Sequence, residues 1–289
     1  MEPMERVEAG DLERGAPEQG DDLDRVVETL RGKRIAVLSG AGISTDSGIP
    51  DYRGAGRVAR TPMTFQEFSA DPARRRRYWA GSHLGWRTFS SARPNDGHRA
   101  LADLEAAGVV SGIVTQNVDG LHLRAGSRRV VELHGSMDRV VCLRCGQAFA
   151  RSDLAAVIDR ENAWIDEPGT VTLAPDGDVD ITGADRFRVP ACSVCGGVLK
   201  PDVVFFGEFV PVEKFHEAVS IVAGADALLV VGSSLVVNSG VRLVDHAVRR
   251  RKPVVIVNRG ATRSDRRAVA RLDAGTTETL TALRHRLLH

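Results

Sequence analysis

The run Gly40-Ala41-Gly42-Ile43-Ser44-Thr45 has the residue types that can hold a pyrophosphate. Gly40 and Gly42 let a backbone turn tightly and approach phosphate oxygens. They follow Ile35-Ala36-Val37-Leu38, an apolar run with the character of a buried parallel strand. A turn of this kind presents free N–H groups at a helix N-terminus, where negative charge is favoured. The spacing departs from the dehydrogenase fingerprint, because Thr45 stands where the third glycine of Gly-x-Gly-x-x-Gly belongs. The loop continues instead through Ile49, Pro50, Asp51, Tyr52 and Arg53 to Gly54, a polar extension suited to closing over the far end of a dinucleotide.

All four cysteines fall into two Cys-x-x-Cys pairs, Cys142 with Cys145 and Cys192 with Cys195. Two such pairs can close a tetrahedral zinc site. Gly146 and Gly196-Gly197 follow the pairs and permit the left-handed turns that aim backbone N–H groups at sulfur. Four thiolates fill the coordination shell, so the expected ion is structural. The competing reading is a pair of redox dithiols.

His134 is the candidate acid/base group, since a free imidazole titrates near neutrality. It ends the apolar run Val130 to Leu133 and precedes Gly135-Ser136. His98 lies on a helical face with Leu101 and Leu104 and reads as packing. No Gly-x-Ser-x-Gly elbow and no His-Glu-x-x-His motif is present. With the cysteines committed to metal, the chain offers neither a protein nucleophile nor a catalytic metal. A bound dinucleotide would itself have to take part in the chemistry.

These residues need elements to position them. A short amphipathic helix is expected from Asp22 to Leu30, and Thr64 with Glu67 forms a capping box opening a helix at Phe65. A basic helix follows from about Pro72 to Phe89, and Asn95 caps another. Strands are expected at Ile113 to Thr115, Val130 to Leu133, Ala227 to Val231 and Val254 to Val257, with helices near Val212 to Ala223 and Glu278 to Leu288. This alternation predicts an α/β fold: a doubly wound, mostly parallel, Rossmann-like sheet. Gly40, Gln116, His134, Gly232 and Asn258 stand at the C-terminal ends of strands, the edge where such sheets bind ligands. The expected organisation is an acidic disordered tail over 1–21, a dinucleotide-binding domain over 22–138 and 200–289, and an inserted zinc-binding module over 139–199.

The net charge of +1 gives no global drive toward nucleic acid or an acidic membrane. No apolar run reaches transmembrane length, and the N-terminal segment resembles neither a secretory nor a transit peptide. Cytoplasmic residence is the expectation. The Arg74 to Arg77 run reads as a solvated helix face rather than a nucleic-acid site.

Taken together, the motifs resemble the sirtuins, the NAD-dependent protein deacylases. The resemblance rests on Gly40 to Ser44, Ser47 to Gly54, Gln116-Asn117-Val118-Asp119, His134-Gly135, the paired cysteines, Lys200 to Glu208, Gly232-Ser233-Ser234-Leu235 and Asn258. It covers nearly the whole chain after the tail. Finer features, among them Arg77-Tyr78-Trp79-Ala80, Leu173 to Asp178 and Thr262 to Asp265, resemble the class II branch typified by mitochondrial sirtuin four. The acidic tail points to a bacterial member.

The resemblance implies a transferase that uses NAD as co-substrate and removes acyl groups from protein lysines, giving nicotinamide, O-acyl-ADP-ribose and free lysine. It also implies one structural zinc. NAD would contact Gly40, Ala41, Gly42, Ser44, Thr45, Ile49, Pro50, Asp51, Tyr52, Arg53, Gln116, Asn117, Asp119, Gly232, Ser233, Ser234, Asn258, Arg259, Gly260 and Thr276. His134 would be the general base, aided by Gln116 and Asn117. An acyl-lysine peptide would add as a strand between Val204-Phe205-Phe206-Gly207 and Ser234-Leu235-Val236-Val237. The family's usual Phe beside Arg53 is here Tyr52.

Protein mono-ADP-ribosylation is the alternative, since it uses the same ribose C1′ electrophile. A dehydrogenase fits poorly with the broken glycine fingerprint. On acyl preference, the desuccinylase branch carries Tyr-x-x-Arg on the helix roofing the acyl tunnel, and the matching stretch is Tyr78-Trp79-Ala80-Gly81. Gly81 has no side chain to hold a distal carboxylate, so apolar acyl groups are expected to be preferred. Trp79 and Trp86 either add apolar surface to the tunnel or pack in the core, and Arg77 could reach inward.

Overall fold

The computed structural model describes residues 19–50, 62–166 and 184–289. Most of the acidic tail, the site candidates Asp51, Tyr52 and Arg53, and the stretch Leu173 to Asp178 lie outside the described residues. Elements follow in the order α1 (Gln19–Leu30), β1 (Ile35–Ser39), α2 (Phe65–Ala70), α3 (Pro72–Ser91), α4 (Asp96–Ala106), β2 (Val110–Thr115), α5 (Leu121–Arg124) and β3 (Val130–Glu132). Then come β4 (Gly135–Cys142), β5 (Ala148–Ala150), α6 (Arg151–Glu161), β6 (Leu199–Val203), α7 (Val212–Gly224), β7 (Ala227–Val231), α8 (Asn238–Arg249), β8 (Val254–Val257), β9 (Ala270–Leu272) and α9 (Thr276–Leu288).

Six strands form one parallel sheet in the order β3-β2-β1-β7-β8-β9. Alternation along β1 sends Val37 to one face and Ala36 and Leu38 to the other. Val37 packs with Val26 and Leu30 of α1, Leu101 and Leu104 of α4, and Leu280 and Leu283 of α9. Ala36 and Leu38 pack with Ile221 and Val222 of α7 and Leu243 and Val244 of α8. Both faces are covered, as a parallel sheet requires. Strand order reverses about β1, which pairs with β2 on one side and β7 on the other, so a ligand crevice is expected beyond their C-terminal ends.

A second, antiparallel sheet has the order β5-β4-β6. β4 begins at Gly135 and β6 ends at Val203, so these strands run across the expected module limits at 138/139 and 199/200. At their meeting point Gly135 has φ 84°, and a Cβ there would lie 1.9 Å from the Asp202 carbonyl oxygen. Only glycine fits. Val140, Leu154, Ile158 and Leu199 of this unit share a core with Phe68, Tyr78, Trp79 and Phe205.

Trp79 is fully buried there, with its Nε1–H donated to the Leu199 carbonyl. It belongs to the core and is no wall of a tunnel. Arg151, also fully buried, lies over Trp79 and Trp86, its Cζ 4.9 and 5.4 Å from the two ring centroids. Burial lowers its pKa to about 10. The Arg74 to Arg77 run stays at the surface and is partly paired within the chain. Arg74 pairs with Glu67 and Asp71, Arg75 donates to the Phe68 carbonyl, and Arg76 to that of Asp185. No helix among the described residues is long and apolar enough to cross a membrane.

Candidate functional site

The loop after β1 lies directly against the loop after β7. A Cβ on Gly40 would sit 2.8 Å from the Gly232 carbonyl oxygen, and one on Gly42 2.8 Å from the Gly232 Cα. Gly232 has φ 60°, and its own Cβ would sit 2.5 Å from the Ile43 nitrogen. The Gly42 N–H donates to the Gly232 carbonyl at 2.8 Å. The glycines are therefore demanded first by two loops of this chain crossing in contact. Thr276 Oγ1 ties the same loop to α9 by donating to the Gly42 carbonyl at 3.1 Å.

The glycine loop departs from the expected helix N-terminus. The loop does not open a regular helix. It makes two short 3₁₀ turns, Ala41–Ile43 and Thr45–Ser47, and stops at Gly48 with φ 82°. Pro50 disfavours helical backbone at the residue before it. Asn95 then holds the turns from outside, its Nδ2 donating to the Ile43 carbonyl at 2.8 Å and to Ser47 Oγ at 3.0 Å.

Polar groups converge behind this loop. Asn117 Nδ2 donates to the Gly40 carbonyl at 3.1 Å and to Ser44 Oγ at 3.0 Å. Ser44 Oγ donates in turn to Asp119 Oδ2 at 2.7 Å. Burial pushes the Asp119 carboxyl up, while the Leu121 N–H, Ser44, the Arg124 charge and Asn117 pull the other way. Gln116 Oε1 accepts from Ser233 Oγ at 2.6 Å, joining the ends of β2 and β7.

His134 is held at both ring nitrogens. Nδ1 lies 3.0 Å from the Gln116 carbonyl and Nε2 lies 2.8 Å from Ser239 Oγ. A carbonyl only accepts, so Nδ1 carries the proton and Nε2 keeps its lone pair. Burial lowers the His134 pKa, and the bond to Gln116 offsets part of that. The result is a neutral imidazole with one basic nitrogen of fixed identity. His98 and His122 are buried elsewhere, with pKa values lowered to about 2 and about 4 by burial. They are packing groups.

A cavity of about 1700 Å³ opens at this edge of the sheet. Its walls include Ala41, Gly42, Ser44, Thr45, Ile49 and Pro50 from the first loop, and Gln116, Asn117, Asp119 and His134 from the next two. Gly232, Ser234, Asn258, Arg259, Gly260 and Thr276 also line it, as do Val204, Phe205, Phe206, Gly207 and Val236. Three expected site residues stand back from it. Gly40 packs against Gly232, Ser233 holds Gln116, and the Leu235 side chain is 1 % exposed in the core of the parallel sheet.

Residues 40–239 match the family model described as "Sir2 family". This chain belongs to the Sir2 family. It is 56% identical over 270 residues to "NAD-dependent protein deacetylase 1" of Streptomyces coelicolor, covering 92% of this chain and 90% of the relative. To "NAD-dependent protein deacetylase 1" of Mycobacterium avium it is 50% identical over 262 residues, covering 89% and 93%. A solved structure described as "Sir2-p53 peptide-NAD+" superposes with a TM-score of 0.74 at 31% identity, covering 91% of this chain and 97% of the other.

In this Sir2-family chain the four cysteine sulfurs lie within 4.8 Å of one another. Cys142 and Cys195 are 3.5 Å apart at sulfur, and Cys145 and Cys192 3.8 Å. A tetrahedral ion with zinc–sulfur bonds of about 2.3 Å needs sulfurs about 3.8 Å apart. The cluster fits a structural zinc. Gly146 and Gly196 have φ 73° and 70°, and a Cβ on Gly197 would lie 2.8 Å from the Cys142 sulfur.

Several lining residues had no signal in the sequence. Ser239 meets His134 from the first turn of α8, 105 residues away. Met63 and Phe89 form apolar wall beside Tyr78 of the expected roofing helix, and Arg242 stands at the rim. Nothing in their spacing distinguishes them from ordinary helix or loop residues.

Proposed function

We propose that this Sir2-family protein removes acyl groups from protein lysines with NAD as co-substrate. The observation that carries the reading is His134, a half-buried neutral imidazole with Nε2 as its basic nitrogen, in one cavity with the glycine loop, Gln116 and Asn117. Relatives at 56% and 50% identity carry the name deacetylase.

The pyrophosphate lies on the loop from Gly40 to Thr45. Adenosine lies toward Gly232-Ser233-Ser234, Asn258-Arg259-Gly260 and Thr276. The nicotinamide end lies toward Ile49, Pro50, Gln116, Asn117 and Asp119, with Asp51, Tyr52 and Arg53 assigned to the same pocket from sequence. NAD supplies the electrophilic ribose C1′. Asn117 and Gln116 hold the ribose, and His134 Nε2 takes a proton from a ribose hydroxyl. The peptide lies between 204–207 and 234–237, with Leu235 offering backbone alone. In this proposal the zinc-bearing module over 139–199 is a scaffold beside an NAD-binding unit over 22–138 and 200–289, and the protein works in the cytoplasm. Equal yields of nicotinamide and O-acyl-ADP-ribose from an acyl-lysine peptide test the reaction. Nicotinamide released with ADP-ribose left on protein would replace it by the transferase alternative.

The pH profile follows from the same geometry. The base form of His134 is the neutral one, so kcat/KM rises with pH through its pKa and levels off above it. Burial puts that pKa below the ordinary value of 6.5. The acid limb of kcat/KM, which reports the free enzyme, is therefore expected below pH 6.5, with a plateau through neutrality. A limb centred at or above pH 7 would contradict the assignment.

The acyl end of the cavity is walled by Met63, Tyr78, Phe89, Val203 and Phe205. Arg77 is exposed, and Arg151 is sealed behind Trp79. No cation faces the cavity there among the described residues. A succinyl carboxylate would be desolvated without a partner, at a cost of several kcal/mol, whereas each buried methylene gains about 0.8 kcal/mol. Octanoyl- or lipoyl-lysine is expected to exceed succinyl-lysine by at least about tenfold in kcat/KM on matched peptides, with acetyl-lysine weak. Succinyl ranking first would show that a cation reaches the acyl end after all.

A further inference from the structure

We infer that the peptide groove selects acyl-lysine sequences with an acidic side chain near the lysine, and that Arg242 is the specificity-determining residue. The inference rests on the deacylase reading above and names the substrate class for that site. The cavity mouth is framed by Phe206 to Phe215 on one side and Val236 to Arg242 on the other. Phe206, Phe209, Val236 and Val237 are exposed there, which gives an apolar rim for an extended chain.

Among the described residues, the charges at that rim without an oppositely charged partner are guanidiniums. Arg242, on α8, stacks its guanidinium over the ring of Phe215 on α7, Cζ to centroid 4.1 Å. The stack fixes the planar fork, so less side-chain freedom is lost when it pairs with a carboxylate. No carboxylate oxygen lies within 4.0 Å of Arg242 among the described residues. Arg263 likewise meets no carboxylate among the described residues, its Nη1 donating to Asn238 Oδ1 at 2.9 Å and to the Val236 carbonyl.

The nearby acids are engaged or lie elsewhere. Glu208 is taken by Lys200 at 3.0 Å and by the Phe205 N–H at 2.9 Å. Asp245 on α8 is taken by Arg267. Glu213 and Glu217 on α7 are exposed and line no part of the cavity, while Lys214 and His216 add no negative charge. Arg259, at the adenosine end, already faces Glu278. An extended peptide between 204–207 and 234–237 thus passes two guanidiniums that have no acid partner among the described residues. A carboxylate beside the lysine can meet Arg242 through two parallel N–H···O bonds.

The test is a set of matched acyl-lysine peptides with Glu, Gln or Lys placed in turn at the two positions on either side of the modified lysine. Turnover and direct binding by fluorescence anisotropy are read for each. Wild type is expected to favour the best Glu peptide over its Lys counterpart about tenfold in kcat/KM and in Kd, less so at high salt. Arg242→Gln should shrink that ratio to about twofold, and Arg242→Glu should invert it, with KM for NAD unchanged. Equal use of Glu and Lys peptides by wild type, or discrimination surviving in Arg242→Gln, overturns the inference. So does a change confined to KM for NAD, which would place Arg242 on the nucleotide. Failure of the deacylase reading looks different: no acyl peptide is turned over whatever its flanks, and the anisotropy ratios still decide the role of Arg242.

Discussion

His134→Ala is expected to lower kcat by about 10²–10⁴, the usual cost of losing a positioned general base, while NAD affinity changes by no more than a few-fold. The argument is geometric. The Gln116 carbonyl fixes the tautomer, and Ser239 holds Nε2 at 2.8 Å on the cavity side of the ring. Alanine removes that nitrogen. It leaves the contacts that shape the nucleotide end, since Gln116 still accepts from Ser233 and Asn117 still donates to the Gly40 carbonyl. Single-turnover assays on an acyl-lysine peptide, with calorimetric titration of NAD, separate the two effects. Near-normal turnover in His134→Ala would remove His134 from the chemistry. A parallel collapse of NAD binding would make it a scaffold residue.

The sequence was legible where one residue type had one physical use. Two Cys-x-x-Cys pairs with no cysteine left over allow few arrangements, and the structure brings all four sulfurs together. The capping box at Thr64 and the Asn95 cap appear as expected, because caps are local. Gly40, Gly42 and Gly232 stand out in the sequence, but the contact between them does not. Contact with Gly232 depends on the pairing of β1 with β7, which spacing cannot show.

β9 escaped notice because three residues with Arg271 in the middle carry no period. Lys200-Pro201-Asp202 contains a proline and two charges and carries no strand alternation. It is an edge strand pairing only with β4, where proline is tolerated. Arg151 opens a polar helix in sequence and looks like a surface residue. Its burial depends on Trp79 and Trp86, more than sixty residues away, which supply two aromatic faces in place of a counter-charge.

Cys142→Ala is expected to release the metal, unfold the small antiparallel sheet and abolish activity. Structural zinc supplies roughly 10–16 kcal/mol of apparent binding energy in zinc-finger peptides, which is of the order of a whole domain's stability. Cys142 is 1 % exposed and ends β4, where it pairs with Leu199 of β6. Its sulfur also accepts the Arg144 N–H at 3.4 Å. Losing that corner frees both knuckles and uncovers Val140, Leu154 and Ile158, which share a core with Phe68, Tyr78 and Phe205. Tyr78 and Phe205 line the cavity, so the damage reaches the acyl-lysine site although no cysteine touches it. The parallel sheet has separate cores on its two faces and should keep its cooperative melt. Metal analysis of the wild type should find one zinc per chain. Thiol titration should find the cysteines reactive only after chelation under denaturing conditions, and limited proteolysis of Cys142→Ala should cut first between 143 and 198. A metal-free preparation with full activity and an uncut module would show that packing alone holds the four cysteines together.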